Sequence, residues 1–355
     1  MENLLFGFNE LSGEFPFWLD KLTKVKTINF SKNLFEGELP SFLGEFTALE
    51  GLALDRNMFT STNDVFDASM HGGLRELKIL FIENNQFTED LDENFLKDST
   101  KLEALDMSDN GIGGSVPSHF FEMPSLVILD LHDNDLQQLP QTFPENDKLA
   151  FLALHKCYFE DKEIPSSISN LRSLQHLDLS QNSFVGEIPS SIGTLKNLSY
   201  LFLAENDFIP GSIPLWIGNL TNLEELSLKS TALSGPVPNF IDSLQKLILL
   251  DLDNNNLTGA IPASIGSISY LQFLLLNRNN LSGAIPDSFS ELSLLRKYIG
   301  TKYLGLPWVS CSVNNCRSLT FFLFSPRPAL QRFCIWTITT ILPEILKQPF
   351  AVIQT

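Results

Sequence analysis

The stretch Leu247-Ile-Leu-Leu250-Asp-Leu252-Asp-Asn-Asn255-Asn-Leu257-Thr-Gly259-Ala-Ile261-Pro262 recurs almost position for position 24 residues further on. Leu271, Leu274, Leu276, Asn279, Leu281, Gly283, Ile285 and Pro286 fill the same places, so the pattern is LxxLxLxxNxLxGxIP. A unit this short cannot bury its own apolar side and needs a neighbour on which to stack. Leu250 and Leu252 are two apart, so on an extended segment they share one face, and Asp251 and Asp253 share the other. Asn255 follows at the turn, where its amide can satisfy backbone groups otherwise left unpaired. Gly259 tolerates unusual backbone angles and Pro262 fixes its own, and together they shape the return path.

Working outward, the turn asparagine recurs at Asn9, Asn33, Asn57, Asn85, Asn110, Asn134, Asn182, Asn206, Asn255 and Asn279, with Cys157 and Thr231 in two of its places. Those two are mild departures, since each still offers a hydrogen-bonding group. This gives twelve repeats over residues 1–305 and predicts twelve short parallel strands. At about 4.8 Å per strand the sheet would run roughly 55 Å. The wide gap between Asn57 and Asn85 contains Thr60 to Gly73, rich in small polar residues, and reads as a loop bulging from the convex side. A thirteenth repeat begins at Leu292 and Leu295 and then loses the pattern, with Tyr298, Gly300 and Tyr303 where Leu, Leu and Asn belong. Two residues past the turn stand Phe35, Phe59, Phe87, Phe159, Phe184 and Phe208. Their recurrence whatever faces outward marks them as a core spine.

These motifs resemble the plant-type leucine-rich-repeat family, of which LxGxIP is the distinguishing feature, across most of the chain. The resemblance implies an α/β solenoid: a right-handed superhelical horseshoe with a parallel concave β-sheet and an irregular or 3-10 convex side. It also implies a recognition module similar to receptor-like protein and receptor kinase ectodomains, binding a protein or peptide ligand in cell-surface signalling or defence, with a co-receptor as a further partner. A secreted inhibitor of a wall-degrading enzyme and an intracellular scaffold are the alternatives. Members of this family open with a cysteine-bearing cap, whereas Met1 already occupies a leucine position and no signal-peptide pattern precedes it. The expectation is therefore a fragment or a truncated gene model. The absent signal peptide favours a cytoplasmic location; the LxGxIP motif and the sequons favour the cell surface.

The net charge of −18 excludes a nucleic-acid partner, because phosphate binding needs a basic surface. Residues 306–355 carry Arg317, Arg327, Arg332 and Lys347 against Glu344, so −18 less +3 leaves −21 on residues 1–305. That tail has no repeat period; its two apolar bursts, 319–324 and 333–342, are each shorter than the roughly 20 residues of a spanning helix, leaving membrane contact open. Cys311 and Cys316 would be the remnant of a closing cap if the family pattern holds.

No catalytic site, cofactor or metal site is expected. Asp251-Leu-Asp253-Asn-Asn255 imitates a calcium loop, but Asn256 and Pro262 stand where Gly and Glu are required. The outward positions lie six, four and two residues before the turn. The middle column holds Asp106, Asp130, Asp178 and Asp251, an acidic stripe that is either consensus habit or contact with a cationic partner. His132 and His155 share a position on neighbouring strands, about 5 Å apart, with His176 displaced toward the next strand's start. Solvated histidines, a pH-sensitive patch and a weak metal site are the readings of this cluster. Ile79, Phe81, Phe151, Tyr200, Phe202, Phe273 and Leu275 also point outward and are expected as exposed anchors. The contact surface is accordingly placed on repeats five to nine, around Asp130, His132, Phe151, His155, Asp178, Tyr200 and Phe202, with Phe81, Asp106 and His176 beside it. Glycosylation sequons occur at Asn29, Asn197, Asn219, Asn256 and Asn280, Asn29 projecting from the concave sheet.

Overall fold

The computed structural model describes residues 2–62, 64–69, 74–159 and 162–299. The non-repeat tail, with Cys311, Cys316 and both apolar bursts, lies outside the described residues. Within them the chain is a right-handed solenoid. One parallel sheet of 13 strands follows strictly in sequence order, from Asn3–Leu5 to Lys297–Ile299. The register joins equivalent positions, so that Leu105, Leu129, Leu152, Leu177 and Leu201 face one another in turn. The thirteenth strand exceeds the twelve expected: Lys297–Ile299 pairs with Phe273–Leu275, setting Tyr298 opposite Leu274. Ladder hydrogen bonds use backbone groups that every non-proline residue carries, so pairing outlasts the leucine pattern by one repeat.

Leucines at both inward strand positions and the post-turn phenylalanines merge into a single continuous core. Phe35 stacks on Phe59, and Phe159 on Phe184, confirming these rings as a spine. Among the described residues the return path runs through nine 3-10 helices, each preceded by proline, as in Ala263–Ser267 behind Pro262. Pro262 has φ −62 and Gly259 has φ +79, the two roles the repeat assigns them. Short accessory strands between turn and helix were not foreseen; Ser234–Pro236, Asn256–Ala260 and Asn280–Ser282 form one such parallel set. The insertion after Asn57 also differs from the expected loop. Val65 and Phe66 fold into the core, and the Phe66 ring meets Phe95 at 5.4 Å. These two apolar residues suffice to tie the described part, residues 64–69, to the core.

The turn asparagines form a ladder that joins each repeat to the one before. Asn134 Nδ2 donates to the carbonyls of Met107, Leu131 and His132 at 2.9, 2.9 and 3.2 Å, while its Oδ1 accepts from the Ile112 N–H at 3.0 Å. At the exceptional positions Cys157 Sγ bonds the Leu131 carbonyl and Thr231 Oγ1 the Leu228 carbonyl. The residue before each turn position is left-handed, Asp133 (φ 53) and Lys156 (φ 55) among them. The repeats with Cys157 and Thr231 add a second such residue, Tyr158 and Ala232.

Successive 3-10 helices pack closely enough to need glycine. A Cβ on Gly266 would meet Ser288 Cβ and the Ser288 backbone oxygen at 2.5 Å each. Gly266→Ala should therefore destabilise the array by about 2 kcal/mol, read as a lowered denaturation midpoint. An unchanged midpoint would show that the last helices shift freely.

Candidate ligand-binding face

The outward columns line the concave side of the sheet, and their residues stand apart from the continuous core: Ile79, Ala104, Ile128, Phe151, Ala153 and Phe202 are buried yet none belongs to it. They are covered by each other. On strands about 4.8 Å apart, side chains in one column touch laterally, and the longer ones roof the shorter.

This crowding corrects several expectations. Phe151 is 0% exposed and Phe202 7%, and Ile79 is buried as well, so these three are floor and not exposed anchors. Phe81, Tyr200, Phe273 and Leu275 remain partly exposed. Asp130 and Asp178 are likewise buried on the concave side, at 3% and 6% exposure. The acidic stripe is interrupted: reading across the strands the column runs Asp106, Asp130, Ala153, Asp178, Phe202, Ser227, Asp251. Asn29 is buried, its Oδ1 taken by the Ser31 N–H, so it does not project as a glycan acceptor. Asn197, Asn219, Asn256 and Asn280 are exposed.

The histidine cluster assembles as the spacing foretold. The rings of His132 and His155 stack with centroids 4.1 Å apart and planes within 12°. His132 Nδ1 donates to Asp130 Oδ1 at 2.6 Å, and its Nε2 lies 3.8 Å from Asp109 Oδ2. His155 Nδ1 lies 3.2 Å from Asp178 Oδ2, close enough for an ion pair although poorly aligned for a hydrogen bond. Burial opposes a charge on His132, but the carboxylates of Asp130, Asp106 and Asp109 outweigh it and raise the imidazole to about 9. Burial likewise pushes against the Asp130 and Asp178 carboxylates, and the histidines beside them hold both below the usual range. The His132–Asp130 pair is thus an imidazolium–carboxylate pair at neutral pH.

His176 differs. It is 1% exposed, lies flat on Phe151 at 4.3 Å and meets Tyr200 and Phe202 at 5.6 Å each, with neither ring nitrogen hydrogen-bonded. Burial drives its pKa down to about 4, so it is a neutral aromatic surface. Tyr200 donates its hydroxyl to Glu224 at 3.1 Å. Among the described residues no group of three or more His, Cys, Asp or Glu is arranged to hold a metal ion.

Sequence reading passed over Asp55, Glu83 and Glu225, which also sit on this face. Burial and neighbouring carboxylates push Glu83 well above the carboxylate range, and burial with Glu224 lifts Glu225 to about 7. Writing out the column two residues before the turn would have shown Asp55 and Glu83 side by side.

Comparison with known proteins agrees with this architecture. Residues 148–251 match the family described as leucine-rich repeat region, and residues 75–136, 246–268 and 270–292 match leucine-rich repeat families. Receptor-like protein 39 of Arabidopsis thaliana is 36% identical over 154 residues, covering 43% of this chain and 17% of that protein. The plant peptide hormone receptor RGFR1, solved in complex with RGF2, superposes with a TM-score of 0.74 at 31% identity over 82% of this chain and 46% of its own. The Arabidopsis receptor kinase HAESA, solved with the peptide hormone IDA and the co-receptor SERK1, gives 0.71 at 29% identity over 87% and 52%. The chain therefore spans about half of those solved chains and 17% of the curated relative. Among the described residues no helix is long and apolar enough to cross a membrane.

Proposed function

The chain belongs to the plant-type leucine-rich-repeat family, and from that premise we propose that it reads an extended peptide or protein segment along its concave face. The observation that carries this is the division of labour within each strand. Inward leucines hold the solenoid together, and the outward columns take no part in that core. The outer residues can therefore vary for recognition without unfolding the stack. The relatives support the reading, since two receptors of this architecture were solved with peptide hormones bound. The same likeness supports a place at the cell surface and a co-receptor among the partners.

The contact surface assigned is the patch of repeats five to nine, with Tyr200 and the stacked His132 and His155 as its accessible groups above the floor of Phe151, Asp130, Asp178, His176 and Phe202. Panning the full chain against a displayed library of random 12-residue peptides supplies probes. A His132→Ala, His155→Ala, Tyr200→Ala triple variant should lose about tenfold or more in affinity for them. Undiminished binding by a variant that still folds would move the contact surface elsewhere.

A further inference from the structure

The concave face of repeats three to five holds three carboxylates on adjoining coils that make no ion pair among the described residues. Asp55 and Glu83 occupy the column two before the turn in neighbouring repeats, and backbone bonds carry the pairing past them, from Arg56 N–H to the Glu83 carbonyl at 2.8 Å. Asp106 lies on the next strand, opposite Phe81. The hydroxyls of Ser31 and Ser108 bond Asp55 and Asp106. The Glu83 carboxyl shares a side-chain hydrogen bond with Asp55, while its Oε2 is buried with no hydrogen-bond partner. Among the described residues, the ion pairs of this face fall elsewhere, at His132 with Asp130 and Asp109, His155–Asp178, Lys156–Asp133 and Lys229–Glu205, and none includes these three carboxylates.

We propose that this spot is a subsite for one basic side chain of the bound peptide, a lysine or arginine, with Asp55, Glu83 and Asp106 as its counter-charges. The inference rests on the peptide-reading function above and names the chemistry of the ligand. A buried carboxylate oxygen without a donor carries a penalty, and a guest ammonium or guanidinium supplies the missing N–H and charge together. Three adjacent carboxylates cannot all ionise in a sheltered site. Burial, reinforced by Asp130, raises Asp106 to about 7, while burial with Asp106 and Asp55 raises Glu83 and burial raises Asp55. The charged groups acting on them are Arg56 and Lys32 at Asp55, Arg56 at Glu83, and Asp130 and His132 at Asp106. An entering cation stabilises the ionised forms, so binding should expel protons.

Pentalysine amide and pentaglutamate are the probes, titrated calorimetrically into the full chain. Pentalysine should bind about tenfold more tightly near pH 8 than near pH 5.5, with an enthalpy that depends on buffer ionisation. Glu83→Gln with Asp106→Asn should remove about tenfold of that affinity and the buffer dependence. Asp242→Asn with Asp287→Asn, equal in charge but on the convex helices, should remove little. Equal losses in the two double variants, tighter binding of pentaglutamate, or no buffer dependence would overturn the subsite. Peptides from the random library that still bind the Glu83/Asp106 variant unchanged would do so too, while leaving the peptide-reading function standing.

Discussion

Asn134→Ala should lower the stability of the array by about 4 kcal/mol, more than any single leucine-to-valine change in its core. The side chain sits buried between repeats five and six and makes three donations and one acceptance, all to backbone groups. Alanine would strand those groups where water does not reach, and each buried unpaired group costs about 1–3 kcal/mol. Asn134→Thr should cost about half as much, because Thr231 shows that one hydroxyl can serve one carbonyl, at 2.6 Å to Leu228. Repeat arrays open in segments, so hydrogen exchange should find the new weakness at the Ile112 amide, which Asn134 Oδ1 holds, before the distant repeats. An alanine variant with protection and denaturation midpoint within error of the parent would mean that the ladder is ornamental.

The second large effect is a fold more stable in mild acid than in mild base. Burial, helped by Asp130 at Asp106 and by Glu224 at Glu225, raises both to about 7, and burial raises Asp251 to about 6. In the unfolded chain such groups ionise near pH 4. Between these limits the folded state holds the extra protons, so stability declines as pH rises through that window. His132 acts in the same direction at higher pH. Its imidazole is raised to about 9, so its contribution is complete below about 6.5 and disappears as pH climbs through 9. Asp178 is depressed by His155, and its contribution is lost only as pH falls below about 4. The net expectation is on the order of 3 kcal/mol, or about 5 °C in melting temperature, in favour of pH 5.5 over pH 8. Combining Asp106→Asn, Glu225→Gln and Asp251→Asn should flatten the profile. A melting temperature that rises from pH 5.5 to pH 8 would show that these carboxylates are solvated after all.

The column logic that located His132 beside His155 worked because both residues occupy the same slot in neighbouring repeats, and backbone register alone then fixes their separation. It failed for Phe151 and Phe202, since pointing away from the leucines was equated with meeting solvent. The rings lie down against His176, which covers one and edges the other. Asn29 failed for the same reason: its direction was right, but its own backbone neighbour claims it. Phe66 escaped notice because the polar residues around it outvote one aromatic in any window of sequence.

The sequence by itself determined the solenoid, the order and register of its strands, the leucine and phenylalanine interior and the structural use of each turn asparagine. Each of these follows from a period that repeats in one dimension, where the neighbour of every residue is its counterpart about 24 positions away. Only the tertiary structure decided which concave residues are accessible and which carboxylates hold protons. Those properties depend on how unlike side chains in adjacent columns lean across one another, and the repeat leaves those side chains unspecified.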